Sequence, residues 1–192
     1  MEQTSACAMR TKKKMANALK EIMNNTSFDK ITVSDIAEVS KIHRQTFYYH
    51  FQDRYELLDW LIYQELLVPL LTNLNLDNMY DKLEDMFTTM SNDKRFYQNA
   101  LKISGDDLTR YVSEVAIEQF TEVVKNIGKS NGVEGVDSEI DRMTAEFFGY
   151  GVSGIVISWA GRGMKESPEL MTQRMQTLFR AFTKVAVAKY DD

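Results

Sequence analysis

An all-α chain with a helix-turn-helix near its N-terminus is what this sequence predicts, and three observations carry that prediction. Apolar residues recur at steps of three and four along most of the chain, and no alternating strand pattern stands out. Only two prolines and nine glycines interrupt 192 residues rich in Leu, Met, Glu and Lys. Residues 32–51, TVSDIAEVSKIHRQTFYYHF, set two short helical patterns around a very short turn.

Taken in order, Met15, Ala18, Leu19, Ile22 and Met23 give the apolar stripe of a first helix. Ahead of that stripe, Arg10, Lys12, Lys13 and Lys14 form a basic cluster in a polar tail that also holds Cys7. As a flexible arm they could meet phosphates or a minor groove. A second helix carries Val33, Ile36 and Ala37, with Thr32 as N-cap accepting from the amide of Asp35. Ser40, Lys41 and Ile42 make the turn, Ile42 plugging the gap between helices. A third helix, His43 to His50, buries Phe47 and Phe51 and leaves His43, Arg44, Gln45, Thr46, Tyr48 and Tyr49 on exposed or half-exposed faces.

Asp53 and Glu56 form a capping box for a long fourth helix carrying Leu57, Leu58, Trp60, Leu61, Ile62, Leu66 and Leu67, which Pro69 should kink or end. Met79, Leu83, Met86, Phe87 and Met90 mark a fifth helix, and Phe96, Tyr97, Ala100 and Leu101 a short sixth. A seventh runs from about Asp107 to Ile127, with Val112, Ala116, Phe120 and Val123 on one face, before a loop of three glycines from Gly128 to Asp137. An eighth spans about Ser138 to Trp159, and a last begins at Ser167 with Pro168 in its first turn. The total is about nine helices. In the last, Met171, Met175, Leu178, Phe182 and Val185 alternate steps of four and three, the seam of a helix that packs on a partner.

The side chains on the third helix suit a DNA groove. Arginine and glutamine can make paired hydrogen bonds to guanine and adenine edges, a threonine methyl can touch thymine, and Tyr, His and Lys can bond phosphates. The net charge of −5 divides in support of this. Residues 1–54 hold nine Lys and Arg against six Asp and Glu, a balance of +3; the remaining 14 against 22 give −8. An acidic body discourages non-specific attachment away from the basic head. The rival reading is a helical adaptor that binds only proteins, and the basic exposed face of the third helix is what separates the two.

Catalysis has little to stand on. The only histidines, His43 and His50, share the third helix with no triad arrangement beside them and no zinc spacing. Gly149, Gly151 and Gly154 follow no strand and make a poor phosphate loop. No cofactor is implied. One cysteine allows no internal disulfide and suits a reducing cytoplasm. There is no apolar signal segment, and the longest apolar run, Phe147 to Ala160, is shorter than the ~20 residues that span a bilayer, so no membrane partner is expected.

From Met15 to Leu58 the chain resembles the N-terminal domain of the TetR/AcrR family of one-component bacterial regulators. Thr32, Ile36, Ala37, Thr46, Phe47, Tyr48, His50 and Phe51 fall where that family's pattern puts the same or similar residues. Ser27 and Lys41 stand where the family usually has glycine, and His43 where it usually has a small hydroxyl cap, which leaves open how the third helix begins. GYGVSGIVISWAGRGMKESPEL is similar to the C-terminal domain of the subgroup that includes the dihydroxyacetone kinase operon activator.

The resemblance implies a helix-turn-helix domain over residues 1–52 and a helical effector-binding and dimerisation domain over 53–192. It implies a homodimer on a palindromic double-stranded operator, contacted by Lys12, Thr32, Ser34, His43, Arg44, Gln45, Thr46, Tyr48, Tyr49, His50 and Arg54. The effector is an unknown small molecule or protein, for which Trp60, Tyr63, Met86, Phe87, Met90, Phe96, Tyr97, Phe120, Phe147 and Phe148 are candidate pocket residues. Gly151, Ile155, Trp159, Met171, Met175, Leu178 and Phe182 are the candidate dimer interface. Repressor and activator are not distinguished.

Overall fold

The computed structural model describes residues 2–75, 77–103, 113, 114, 116–118, 120, 121 and 138–188, with the side chains of residues 2–5, 102, 103, 138, 140, 141 and 182–188 outside the description. Every regular element among these residues is helical. In chain order they are α1 (Glu2–Met23), a 3-10 turn (Phe28–Lys30), α2 (Val33–Ser40), α3 (Arg44–His50), α4 (Arg54–Ile62), a π-turn (Tyr63–Leu67), α5 (Val68–Leu71), α6 (Met79–Asn92), α7 (Lys94–Ile103), α8 (Ser138–Gly161) and α9 (Pro168–Ala188). The predicted seventh helix is helical wherever described between 113 and 121; its other residues and the predicted loop 128–137 lie outside the described residues.

α1 starts earlier than its apolar stripe. Nothing from Ala6 to Lys14 stops a helix, since Ala, Met, Arg and Lys are good helix formers and neither Gly nor Pro intervenes. The Thr11 hydroxyl donates to the Cys7 carbonyl at 3.0 Å. The basic cluster therefore rides on a helix, which corrects the expectation of a flexible arm. One turn further on, Met15, Ala16, Ala18, Leu19 and Met23 are buried against Phe28, Ile31, Ile36, Phe47 and Phe51. That core fixes the head.

Asp53 caps α4, its carboxylate accepting from the amides of Tyr55 (2.8 Å) and Glu56 (3.0 Å). Glu56 reaches back to the Gln52 amide, one residue before the position a capping box uses. Further along, α4 meets Pro69 by widening before it. A proline ring crowds the carbonyl four residues earlier and supplies no amide hydrogen, and the π-turn from Tyr63 to Leu67 takes up that mismatch. The helix then ends at Leu71.

In the body, α9 packs along α6 and α7 along α8. Trp159 is fully buried, its ring edge-on to Phe87 at 5.1 Å and its Nε1 donating to the Glu166 carbonyl at 3.2 Å. Gly163, at φ 96, turns the chain from α8 toward α9, and Lys94 ties that turn to α7 through the Met164 carbonyl at 2.9 Å. Ser167 caps α9, accepting from the Leu170 amide at 3.3 Å. The buried cluster runs without a break from Met15 in the head to Phe179 in α9.

The 113–121 segment crosses α8 at Gly149, where a Cβ would lie 2.5 Å from Ile117 Cγ1 and 2.8 Å from its backbone nitrogen. Gly149→Ala is therefore expected to destabilise by about 1–3 kcal/mol in urea melts, because backbone rather than a flexible side chain must retreat. Gly161→Ala, with open space at that position among the described residues, should cost nothing comparable.

Candidate nucleic-acid interface

The head is built to hold one helix face outward. Thr32 and Asp35 cap α2 reciprocally: the Asp35 amide donates to Thr32 Oγ1 at 3.2 Å, and the Thr32 amide donates to Asp35 Oδ2 at 2.7 Å. The Thr32 amide and, at 2.8 Å, the Thr32 hydroxyl both donate to Asp35 Oδ2 and hold its carboxyl below its usual range, the amide contributing most. α2 ends on Lys41 in the left-handed region (φ 55, ψ 42), so a lysine takes the conformation that glycine adopts without strain. Ser27, the other position where glycine was usual, is extended at φ −64 and needs no glycine.

The Ile42 amide donates to the Ala37 carbonyl at 3.0 Å and its side chain packs on the head core. α3 then begins at Arg44 from an extended His43, whose side chain makes no capping hydrogen bond.

Phe47 and Phe51 anchor α3 and decide what faces out. His43, Arg44, Gln45, Tyr48 and Tyr49 are exposed, Tyr49 at 83%, while Thr46 and His50 are half-buried. Tyr48 leans edge-on to Phe47 at 5.6 Å and Tyr49 edge-on to His50 at 5.0 Å, which limits their rotamers. Partial burial, then the nearby Lys12 charge, lowers the His50 pKa, so the ring is neutral at neutral pH and does not add to the positive charge. Thr32 and Ser34 lie exposed at the start of α2.

Arg54 is not on this surface. Its guanidinium donates to the carbonyls of Phe28 (2.9 Å), Asp29 (3.1 Å) and Ile31, and lies 4.8 Å from the centre of the Phe28 ring. It clamps the α1–α2 connection, a structural role that the sequence reading of Arg54 as a DNA contact did not include. Arg54→Met is expected to lower head stability by about 1–3 kcal/mol, the cost of leaving part-buried carbonyls unpaired, without changing the salt dependence of DNA binding. A urea melt and a salt titration check both halves.

Lys12 is also turned inward, its Nζ 5.0 Å above the Phe51 ring and 5.8 Å above Trp60. Trp60 itself packs on Phe51 at 5.8 Å, at the seam between head and body.

Head and body are also joined by charge. Lys20 Nζ on α1 lies 2.6 Å from Glu65 in the π-turn and 2.7 Å from Asp93 at the end of α6, and the Tyr97 hydroxyl donates to Glu65 at 2.9 Å. Burial alone lowers the Lys20 pKa, but the hydrogen bonds and charges of Asp93 and Glu65 outweigh it, and the net shift is upward. Burial and the Glu65 charge push Tyr97 up strongly. No sequence pattern announced this cluster, whose members lie up to 77 positions apart.

Behind the π-turn lies a cavity of about 90 Å³. Leu67, Leu70, Leu71 and Leu74 close one side, Met79, Leu83 and Met86 of α6 another, and Ala116, Phe120, Phe179 and the α8 residues Val152, Ser153 and Val156 the rest. Of the residues expected to line a pocket, Met86 and Phe120 do. Phe148 stacks behind Phe120 at 5.5 Å. Phe87, Met90, Phe96 and Tyr97 belong to the solid core, and Tyr63 and Phe147 are exposed. The signal that was missed is the run of leucines from Leu66 to Leu74, denser than one core-facing stripe requires.

The expected dimer seam divides. Trp159, Met171 and Met175 are 0%, 3% and 2% exposed inside one subunit, so they meet α6 and the core and not a partner. The inward row of α9 continues through Phe179, with Leu178 outside it. Gly151 is exposed, Ile155 is half-buried, and the Phe182 side chain lies outside the described residues. Met143, Phe147, Tyr150, Gly151 and Gly154 lie on the exposed side of α8, Phe147 and Tyr150 at 61% and 60%. Among the described residues no three metal-ligating side chains converge, and no helix is long and apolar enough to cross a membrane.

Residues 17–61 match the family described as bacterial regulatory proteins, tetR family, and residues 77–181 match the family described as transcriptional regulator C-terminal region. A curated relative, the HTH-type dhaKLM operon transcriptional activator DhaS of Lactococcus lactis subsp. lactis (strain IL1403), is 32% identical over 93 residues, which is 48% of this chain and 50% of that protein. The match thus spans half the length of that relative. Among solved structures, the dihydroxyacetone kinase operon activator DhaS aligns with a TM-score of 0.69 at 22% identity, over 91% of this chain and 97% of that one. Native NalD, the secondary repressor of the MexAB-OprM multidrug efflux pump in Pseudomonas aeruginosa, aligns at 0.60 and 15% identity, over 90% and 96%. At those identities the two structures speak for the fold.

Proposed function

The chain belongs to the TetR family of bacterial transcriptional regulators, and we propose that it works as a homodimer that reads a palindromic DNA operator under the control of an effector held in its body. It is a regulator of transcription and not an enzyme. Residues 1–52 form the reading head and 53–192 the effector-binding and dimerisation body. The observation that carries this reading is the outward face of α3, where Arg44, Gln45, Tyr48 and Tyr49 are exposed on a helix pinned from behind by Phe47 and Phe51.

In this reading Arg44 and Gln45 contact base edges, His43, Thr46 and Tyr48 support them, and Thr32, Ser34 and Tyr49 fix the register on phosphates. The dimer forms through the exposed side of α8 around Phe147, Tyr150, Gly151 and Gly154, with Ile155 and Leu178 beside it. Two heads related by a two-fold axis then meet two half-sites. An effector acts by favouring one spacing of the heads over another. The cavity beside the π-turn and the Lys20–Glu65 contact supply the route from body to head.

Arg44→Ala should cost ~1–3 kcal/mol and relax base preference at one position of each half-site, whereas Tyr49→Phe should weaken every sequence alike. Anisotropy titrations against operators substituted one base pair at a time separate the two. Equal losses on all DNAs from both variants would refute the assignment.

A further inference from the structure

Side-chain donors tie α7 both to the head and to the far end of the body. On one side Lys94 donates to the Met164 carbonyl at 2.9 Å and Gln98 Nε2 to the Ala160 carbonyl at 3.4 Å, where α8 gives way to α9. On the other, Asn99 Nδ2 donates to the Met23 carbonyl at 3.0 Å. Met23 is the last residue of α1, where helix carbonyls have no partner inside the helix. The carbonyls of Glu21 and Ile22 accept from the amides of Asn24, Asn25 and Thr26 that follow them, whereas the donor to Met23 comes from 76 residues away.

A carbonyl only accepts, so the amide nitrogen of Asn99 and not its oxygen must face Met23. One turn earlier on α1, Lys20 meets Glu65 and Asp93, and Tyr97 of α7 donates to the same Glu65. Between these polar contacts Phe96 and Tyr97 are buried, and α7 packs on α1 and the 3-10 turn. Apolar packing is non-directional, whereas a hydrogen bond weakens steeply as it bends. The aromatic rings supply contact and Asn99 supplies orientation.

We infer that α7 is a strut that fixes the angle of the head to the body, with Asn99 as a positioning residue acting through the Met23 carbonyl. α4 carries the chain from head to body, and an attachment off the α4 axis is what resists rotation about it. The inference rests on the homodimer reading above and gives it a residue. In a pair of subunits the angle of each head sets the distance between the two α3 helices, and so the half-site spacing that binds.

Two measurements test it. In a Cys7→Ser background, nitroxides at Asn17→Cys on α1 and Lys165→Cys after α8, both exposed positions, report the head-to-body distance by double electron-electron resonance. Unlabelled protein is added so that each pair of labels lies in one subunit. The distribution should broaden in Asn99→Asp, which keeps the shape and loses the donor, and in Asn99→Ala. Thr172→Val, which removes a hydroxyl bond to the Pro168 carbonyl inside α9, should leave it as in the parent. Anisotropy titrations then compare inverted repeats that differ by one base pair in spacing. The ratio of best to next-best affinity should narrow about fivefold in both Asn99 variants, the equivalent of one hydrogen bond of ~1 kcal/mol. Such a ratio does not depend on the fraction of protein that is folded.

An unchanged distance distribution in both Asn99 variants would overturn the inference. Equal broadening in Thr172→Val would do the same, as would a spacing ratio that stays put while the distribution broadens. Broadening in a protein that prefers no inverted repeat at any spacing would uphold the strut and remove the palindromic reading beneath it.

Discussion

Gly154→Arg is expected to give a folded monomer that has lost its operator. Within one subunit a Cβ at Gly154 meets nothing within 4 Å among the described residues, so the substitution should not disturb the fold. It should even favour the helix, since glycine is roughly 0.8–1 kcal/mol worse than alanine inside one. The same position lies one turn from Tyr150 and two from Phe147, on the exposed apolar side of α8. A second helix packing there would come close over Gly151 and Gly154, and an arginine would both hold it off and lose its own hydration.

Joint engagement of two heads multiplies affinity by about 10²–10⁴, so a monomer should bind the operator at least about a hundredfold more weakly. Light scattering gives the mass, circular dichroism the fold, and an anisotropy titration the affinity. A variant that stays dimeric with unchanged affinity would place the interface elsewhere on the subunit.

Lys20→Met is expected to have the largest effect on stability, about 2–3 kcal/mol in urea melts. Methionine keeps the stem over the Phe96 and Tyr97 rings, which Lys20 Nζ approaches to 5.3 and 5.7 Å, but it leaves Glu65 and Asp93 facing each other with no cation. Removing one partner from a buried ion pair costs roughly 3–5 kcal/mol. Glu65 and Asp93 side chains are 27% and 39% exposed, and water reaching them trims that figure.

The Lys20 pKa is raised on folding, so its contribution is complete at neutral pH and is lost only as the pH climbs past the ordinary lysine range. Glu65→Gln should cost about 1 kcal/mol, since an amide can still accept from Tyr97. Hydrogen exchange in α1 should rise in Lys20→Met and barely change in Glu65→Gln. A loss below 1 kcal/mol in Lys20→Met would show that the cluster is too well hydrated to join head and body.

The head was legible because its signals are local. Thr32 and Asp35 lie three residues apart, Phe47 and Phe51 one turn apart, and the exposed residues of α3 follow from that burial pattern. What sequence could not give were contacts between distant elements. Arg54 looks like one more cation in a basic head until the carbonyls of Phe28, Asp29 and Ile31 are seen to converge on it.

Lys12 likewise needed Phe51 and Trp60 in three dimensions. The α9 heptad was expected to meet a partner helix, but Met171 and Met175 pack inside their own subunit, the inward row runs on to Phe179, and Leu178 is exposed. Pocket residues were hardest, because aromatic stripes look alike whether they fill a core or line a space. Leucines around Pro69 line one side of the cavity instead.

Selection of bound sequences from random duplex DNA by the purified protein tests the central claim most directly. Enriched sequences should be inverted repeats with half-sites about 10 base pairs apart or a multiple of that, and Arg44→Ala should blur the same position in both halves. Enrichment of a single asymmetric site, or of nothing, would contradict a paired head reading DNA through α3.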